Sequence, residues 1–390
     1  MKLKYRKIIN KAIAIGCLVA VIVLFSLLKT NGKIAEYFFA RGLSRGYNFL
    51  SGNIASWFPF AVFDVFVICG ITAGVIGVAF IIYFCAKKKK WKALNLACNY
   101  LIAALCIALI YTSVASGNYY RDPLPVDKYE GEQLSAEETA RLLDVLLDDF
   151  VAVSDQVKRN QDGSSVCPYT FRETVDLIRA EYEKLNDDYF ASSVPSAKEA
   201  VFSGFLTSEG ITGITFMLTG DAVVNAQTPS CYKVVTIAHE LAHTVGVMRE
   251  GDANLMAYYV LLRSDVPYFR YCAYMYGLWH LTDVLFTLDE DLYAETIKKY
   301  PMAARIERKL ENDFWVSKES FMEVVGDFFN DLYLKLSGSK EGVDSYHDYS
   351  DYYVVRDEET SEVIQVQIEY SLTTRVILKI AQDRASALRA

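Results

Sequence analysis

Three long apolar runs near the N-terminus constrain this chain more than any other feature of its sequence. They lie at about residues 12–28, 61–84 and 94–115, and each approaches the ~20 residues that a helix needs to cross a bilayer core. Asp64 falls at the edge of the second run, where its carboxylate can stay near the membrane surface. A buried hairpin is the alternative, but three such runs with basic flanks favour three transmembrane helices.

Lysines between the second and third runs predict the topology. Lys87–Lys90 and Lys92 form a short basic loop, and the first eleven residues are also basic. Short basic segments stay in the cytoplasm. No small-residue cleavage site follows residue 28, so we expect an uncleaved anchor. The N-terminus is therefore predicted inside, and residues 30–60 and everything after about residue 117 outside.

The segment at residues 33–60, between the first two runs, mixes aromatic and basic residues. An amphipathic helix at the outer membrane surface would suit this composition. A plain packed loop would suit it equally well, and both interpretations stay open at this point.

Charge divides the chain into two parts. Residues 1–116 contain 14 Lys and Arg against Glu36 and Asp64, a net charge of +12, whereas the remainder has a net charge of −20. We therefore predict a membrane domain at 1–116 and an extracytoplasmic domain at 117–390. The acidic part would repel phosphates, so nucleic acid is not an expected partner.

Cysteines in the second part do not form a metal-binding pattern. Cys167, Cys231 and Cys272 lie there, and no CxxC pair occurs anywhere. A zinc site made of cysteines is therefore not expected. One disulfide with a leftover thiol can form, and the sequence does not indicate which pair.

Hydrophobic spacing predicts a mainly helical second part, an α+β domain with a small sheet. Ser135 and Glu138 form a capping box before a stripe of leucines. Gly210–Leu218 alternates apolar with small or polar residues, which favours a strand. A strand at this place can be a sheet edge on which an extended peptide pairs, or an ordinary half-buried strand, and the second interpretation is the one favoured by the sequence. Further helices are predicted at about 170–186, 253–263, 268–288, 289–300, 302–314 and 317–336; a polar turn is predicted at 340–351, and a last strand or helix at 363–387.

The segment Thr236–Val245 contains the motif HExxH. His239 and His243 are four residues apart, so on a helix both can direct a ring nitrogen to one ion. Glu240 lies beside them, where its carboxylate can take a proton from metal-bound water. Two core histidines on one helix are the alternative, but chance produces the motif in well under ~1 in 100 such chains. The sequence therefore predicts a Zn²⁺ site.

A third zinc ligand has to come from outside this helix. Gly246 can end the helix in a left-handed conformation. Glu250 and Asp252 follow closely, and either carboxylate can fold back to the metal. We favour Glu250, with Asp252 as the alternative; capping of the next helix is the non-ligand role open to both. His280 and His347, the other histidines, are distant along the chain.

Comparison with two zinc-enzyme classes bears on this choice. Metzincins place a third histidine where this chain has Arg249, which argues against that class. Gluzincins use a Glu on a following helix with an Asp four residues later, and Glu250 and Asn254 resemble that pair. The spacing from His243 is much shorter than is usual in gluzincins. Asn254 can still accept a hydrogen bond from the ring N–H of a ligand histidine.

Several short segments together resemble an uncharacterised bacterial membrane-protein family, domain of unknown function 3810. The segments are HELAH (239–243), Glu250–Asn254, Ala257-Tyr258, Tyr268–Tyr271, Gly342–Tyr346, Asn118–Arg121 and Gly210–Ile214. The resemblance covers nearly the whole chain. It implies membrane spans followed by an HExxH domain of a membrane-bound zinc peptidase, and it implies no particular substrate.

These observations predict a membrane-anchored zinc metallopeptidase with a zincin-like domain outside the cell membrane. A zinc-activated water would attack a peptide or protein substrate with Glu240 as general base. The segment Gly342–Tyr346, which resembles the family, makes Tyr346 and His347 candidates to stabilise the oxyanion. The alternatives are a zinc hydrolase acting on a non-peptide or lipid-linked amide, and a non-catalytic zinc-binding scaffold or sensor. Intramembrane proteolysis is not expected, because the motif follows the last span by about 120 residues in a polar stretch.

Overall fold

A computed structural model describes most of the chain. The residues described are 2–131, 134–318, 327, 330–332, 334, 335, 337–339, 350–356 and 363–389. The predicted helix at 317–336 lies largely outside these residues, as does the predicted turn at 340–351. The described part is mainly helical with a small sheet, as the sequence predicts.

Three helices of the N-terminal part are long and apolar enough to cross a membrane. They comprise Tyr5–Leu28, Val62–Ala86 and Lys90–Tyr120, and the prediction of three such runs is confirmed. The helices of this part are α1 (Lys2–Leu28), the single turn α2 (Gly32–Ile34), a π-helix (Ala35–Ser44), α3 (Arg45–Ser56), α4 (Val62–Ala86), α5 (Lys90–Val114) and a 3₁₀ turn (Ser116–Tyr120).

Helices α1 and α4 both pack against α5. Lys11 on α1 donates to the Asn95 side chain on α5 over 2.7 Å, with its charge near the predicted cytoplasmic end. Gly77 on α4 leaves room for the Tyr100 ring, since a Cβ at Gly77 would come within 2.3 Å of it. Lys29, just after α1, contacts Ser116, just after α5, so these two helices end on the same side.

The segment at residues 33–60 is helical, which decides between the two interpretations left open by its sequence. Its π-helix and α3 bury one face, where Phe39 is fully enclosed. Large apolar side chains remain exposed on the other face, among them Tyr37, Phe49 and Trp57. The segment therefore has the two faces of an amphipathic helix.

The second part is built largely from helices around one core. In chain order its elements are α6 (Ala136–Ser154), α7 (Phe171–Glu183), β1 (Ala197–Glu199), α8 (Ser203–Ser208), β2 (Gly213–Phe216), β3 (Asp221–Val224), α9 (Ser230–Thr244), α10 (Glu250–Leu262), α11 (Pro267–Leu288), α12 (Glu290–Lys298), α13 (Met302–Val316), β4 (Ser350–Arg356), β5 (Val363–Tyr370) and α14 (Leu372–Ala387). Helices α6 and α7 each begin with a capping box, at Ser135 and Thr170. The side chain of each cap residue accepts a hydrogen bond from the backbone N–H three residues later, and the glutamate at that position accepts one from the backbone N–H of the cap residue.

Helices α6, α9, α10, α11 and α14 contribute to the main core. Tyr258, Phe269 and Tyr271 are fully buried there. Cys231 and Cys272 are buried free thiols in the same core, and Cys167 is half-buried and also free. The region at 363–387 contains both elements that the sequence allowed, since β5 pairs with β4 and α14 follows it.

A three-stranded sheet has the order β1-β3-β2. Strand β3 is central and fully buried, parallel to β1 and antiparallel to β2, with Gly213 opposite Val224. The predicted strand at Gly210–Leu218 is therefore confirmed as β2, at the edge of a sheet. The sequence analysis missed β1 and β3; the apolar run of β3 is too short to show a periodicity.

Candidate metal centre

Helix α9 places both motif histidines on one face. On its other face, Ala238, Leu241 and Ala242 are completely buried in the core. This burial fixes the rotation of the helix, so His239 and His243 point together towards the start of α10. Their ring centroids are 4.8 Å apart.

A glycine ends the helix and turns the chain back. Gly246 has φ +100°, and the N–H groups of Gly246 and Val247 donate to the carbonyls of His243 and Ala242. Only glycine takes such a conformation without strain. The prediction that Gly246 ends the helix in a left-handed conformation is confirmed. The short connector then brings the chain to Glu250, the first residue of α10.

His239, His243 and Glu250 bring three ligand atoms together. The two Nε2 atoms are 3.1 Å apart, and Glu250 Oε2 lies 3.2 Å from that of His239 and 3.5 Å from that of His243. Among the described residues, these three form a group able to hold a metal ion. Tetrahedral zinc with bonds of 2.0–2.2 Å separates its ligand atoms by about 3.3–3.6 Å. The three side chains therefore fit the size of a zinc ion.

Hydrogen bonds at the far side of each ring set the tautomers. Nδ1 of His239 lies 2.8 Å from Asn254 Oδ1, and Nδ1 of His243 lies 2.7 Å from the Val247 carbonyl. A carbonyl oxygen only accepts, so each Nδ1 carries a proton and each Nε2 presents a lone pair. This is the protonation state in which imidazole binds a metal.

The electrostatics of the cluster favour a cation between the ligand atoms. Burial lowers the pKa of His243, but the Glu250 carboxylate outweighs burial and raises it to about 9. Burial likewise raises the pKa of Glu250, but the two imidazoles outweigh it and hold that pKa at about 2. Two lone pairs and a carboxylate that face each other at 3.1–3.5 Å require positive charge, from a proton or from a metal ion.

Glu240 is held between the three candidate ligands and strand β2. Its Oε2 accepts a hydrogen bond of 2.7 Å from the Thr215 hydroxyl. Gly213 gives it room, because a Cβ at Gly213 would come within 2.5 Å of Glu240 Oε1. Burial raises the pKa of Glu240, and the neighbouring imidazoles offset only part of that effect. A carboxyl group with a raised pKa is suited to accept and return a proton near neutral pH.

The cluster lies in a cleft of about 710 Å³, one side of which is strand β2. Hydrogen bonds alternate along an antiparallel strand. The Thr212 carbonyl accepts a hydrogen bond from the backbone N–H of Asn225. The Val224 carbonyl, opposite Gly213, instead points to the β1 side and accepts one from the backbone N–H of Ala200. The backbone N–H and C=O groups of Gly213 and Thr215 therefore face away from β3. In the described chain no strand pairs with this outer edge.

The remaining residues singled out from the sequence lie in different places. The Asp252 carboxylate lies outside the cluster, 3.3 Å from Nη1 of Arg249. His280 is buried, its Nε2 lies 2.9 Å from the Thr374 hydroxyl, and burial lowers its pKa to about 3. Tyr346 and His347 lie outside the described residues.

Arg121 and Glu36 form a buried contact that the sequence analysis missed. Their side chains are each 2% exposed and joined by two hydrogen bonds of 2.9 Å. Arg121 also donates to the Gly246 carbonyl over 3.0 Å and lies over the Tyr189 ring. We call this contact the Arg121 clamp. It attaches the membrane-proximal chain to the connector between His243 and Glu250.

Gly213 and Thr215 were also missed as site residues. The sequence offered only the alternating pattern of β2, and it could not show which strand face meets Glu240. Glu209 is a third such residue: it lines the cleft, 8% exposed, and its Oε1 has no hydrogen-bond partner among the described residues.

One protein family matches most of this chain. The sequence profile of the family described as "Protein of unknown function (DUF3810)" matches residues 39–354. No curated protein and no solved structure matches this chain.

Proposed function

The chain belongs to this family of unknown function, DUF3810, and we propose from its candidate site that it is a membrane-anchored zinc metallopeptidase of gluzincin-like type. His239, His243 and Glu250 would hold Zn²⁺, with Asn254 orienting His239. Glu240 would act as the general base. The lysine-rich loop between α4 and α5 favours the cytoplasmic side of the membrane. The domain after residue 117 follows α5, so it would lie on the other side, outside the cytoplasm.

One observation supports this proposal above the rest. The three candidate ligands meet at 3.1–3.5 Å in the same cleft as Glu240 and the outer edge of β2. An extended peptide can pair with a free strand edge through its backbone alone. The outward groups of Gly213 and Thr215 would orient such a peptide beside Glu240. This favours a peptide substrate over a free lipid-linked amide, which has no backbone to pair.

When bound, zinc would supply a Lewis acid that polarises a carbonyl and acidifies water. The residues of the chain would do the rest. Asn254 and the Val247 carbonyl hold the two imidazoles in the correct tautomer. Glu240 would accept a proton at its carboxylate and pass it to the leaving amine. The Thr215 hydroxyl holds that carboxylate in place.

Zinc stoichiometry tests the metal site. The full-length protein in detergent should bind one zinc per chain, and His239→Ala should bind none at equal concentration. His280→Gln is a matched control, since His280 is a buried histidine outside the cluster. A wild type that binds no zinc would exclude both the peptidase and the other zinc hydrolases.

Peptide hydrolysis by Glu240→Gln tests catalysis. This variant should bind zinc like the wild type and lose hydrolysis by about 10²-fold or more. Unchanged activity would exclude Glu240 as the general base. Zinc binding with no hydrolysis of peptides by the wild type would favour the non-catalytic scaffold or sensor.

A further inference from the structure

The catalytic cleft is lined in part by residues of the membrane-spanning region. Tyr111 belongs to α5, one turn before that helix ends at Val114, and Tyr119 follows it in the 3₁₀ turn. Tyrosine is typical of the level at which a transmembrane helix leaves the bilayer. The cleft therefore extends to the membrane surface.

Strand β2 is attached to the first turn of α4. The centroid of the Phe216 ring lies 5.0 Å from that of the Phe63 ring and 5.2 Å from that of the Phe66 ring. The N–H of Phe63 donates to Asp221 Oδ2, on the neighbouring strand, over 2.8 Å. Because α4 begins there and enters the bilayer, the Phe216 end of the strand lies at the membrane surface.

An exposed apolar surface adjoins the same place. Val201, Phe202 and Phe205 are 68%, 46% and 57% exposed, and we call them the α8 patch. The N–H of Val201 donates to the Asp64 carboxylate in the first turn of α4 over 2.9 Å. Phe205 lines the cleft. Continuity with α4 identifies the bilayer as what covers the patch, since exposed apolar side chains at this level enter the lipid surface.

From these three contacts we infer that the substrate is a polypeptide anchored in the same membrane and cut close to the bilayer surface. The inference rests on the proposed peptidase function and adds the class of substrate. A chain that leaves the bilayer beside α4 meets the Phe216 end of β2 first. Gly213 is three residues further along, about 10 Å at ~3.3 Å per residue. The bond beside Glu240 would therefore lie within a few residues of the substrate's own span.

Membrane attachment of the substrate should raise its cleavage rate. The test uses full-length, zinc-loaded protein in phospholipid vesicles and two peptides with the same polar tail, one of which carries a 20-residue leucine-rich span. The anchored peptide should be cut at least about 10-fold faster at micromolar concentration, because sharing the membrane raises its effective concentration. Equal rates would overturn the inference and leave the peptidase function intact.

Rate alone would also rise for any enzyme confined to the membrane, so a second measurement uses distance. Ten polar residues inserted between the span and the original cleavage site should move the cut to new residues at the same distance from the bilayer. A cut that follows its original residues would overturn the inference.

The α8 patch should affect anchored substrates in particular. Val201→Glu combined with Phe202→Glu, both outside the cleft lining, should slow cleavage of the anchored peptide by about 10-fold or more relative to the soluble one. Met302→Glu is the matched control, because Met302 is 70% exposed and lies outside the cleft lining. An equal loss for both peptides would contradict a role in membrane contact.

Crosslinking separates binding from catalysis. A photo-crosslinking phenylalanine analogue at position 205 in the Glu240→Gln variant should capture the anchored peptide and not the soluble one. If the variant captures the anchored peptide but the wild type does not cleave it, the peptidase function is rejected. The same result would still support a membrane-anchored polypeptide as the ligand of the cleft. No preference in capture would overturn the inference, whatever the activity.

Discussion

Replacement of Asn254 gives the most direct test of how the metal centre is organised. Asn254 Oδ1 lies 2.8 Å from Nδ1 of His239. Asn254→Leu keeps a side chain of similar shape and removes the acceptor. The Nδ1–H of His239 would then have no partner, and the ring would be free to rotate or to change tautomer. Asn254→Asp keeps an acceptor oxygen in the same place.

The expected loss can be worked out in two ways. Loss of a hydrogen bond to a buried group costs about 1–1.5 kcal/mol. Removal of the partner of a metal-ligating histidine lowers metal affinity by about 10–100-fold, or about 1.4–2.7 kcal/mol. Both ranges include about 1.4 kcal/mol, which corresponds to a tenfold loss of zinc affinity. We therefore expect Asn254→Leu to weaken zinc binding by at least about 10-fold, and Asn254→Asp to bind zinc as tightly as the wild type or more tightly.

Competition with a chromogenic chelator in detergent would measure the zinc Kd of each variant, with circular dichroism as a check on the fold. The Asp variant keeps both the shape and the acceptor oxygen, so it shows whether zinc affinity is retained when residue 254 is changed but the hydrogen bond to His239 is kept. Equal zinc affinity of the Leu variant and the wild type would refute the role assigned to Asn254. Equal weakening by Leu and Asp would refute it as well.

Three further predictions follow from the described contacts. Glu36→Gln leaves the buried Arg121 charge without its partner, so the free energy of unfolding should fall by about 3–5 kcal/mol in chemical denaturation; a loss below ~1 kcal/mol would contradict a buried ion pair. In the metal-free protein the raised pKa of His243 contributes stability that is fully present below pH 6.5 and is lost as the pH rises through about 9; a stability that stays flat over this interval, measured with a chelator present, would exclude the protonated imidazole. Gly213→Ala would push a methyl group to within 2.5 Å of Glu240 Oε1, so hydrolysis should fall by about 10²-fold or more while zinc stoichiometry is retained; full activity would show that Glu240 does not work from its described position.

Local rules explain why much of the fold could be predicted from the sequence. The capping box at Ser135, the spacing of His239 and His243, and the helix end at Gly246 each depend on residues within a few positions of each other. Span length depends on composition alone. These features lie where the sequence places them.

The choice between Glu250 and Asp252 shows where local rules fail. Residues two apart on a helix lie on nearly opposite faces, so Glu250 and Asp252 cannot both point to the histidines. Where α10 starts therefore decides which of the two carboxylates does. The sequence predicted that start at residue 253, whereas the helix begins at Glu250. Glu250 and Asn254, four residues apart, then share one face and both reach His239. The four-residue spacing of Glu250 and Asn254 was therefore the better indication of which carboxylate reaches the histidines.

Nonlocal contacts account for the remaining differences. Strand β3 is buried between two short strands and has no alternating pattern to reveal it. Gly213 meets Glu240 across 27 positions of chain, and Glu36 meets Arg121 across 85. No spacing rule relates such residues, because tertiary packing alone brings them together.

The Arg121 clamp also bears on how this protein can be divided or recombined. The predicted boundary at residues 116 and 117 separates Glu36 from Arg121, and Arg121 holds the Gly246 carbonyl in the connector that leads to Glu250. A fragment that begins at residue 117 would lack the carboxylate that pairs with Arg121, next to the connector that leads to the candidate ligand Glu250. The same holds for a chimera with spans from an unrelated protein, unless an acid is supplied at the position of Glu36. The N-terminal helices and the part of the chain that contains the candidate metal centre therefore have to be exchanged and engineered as one unit.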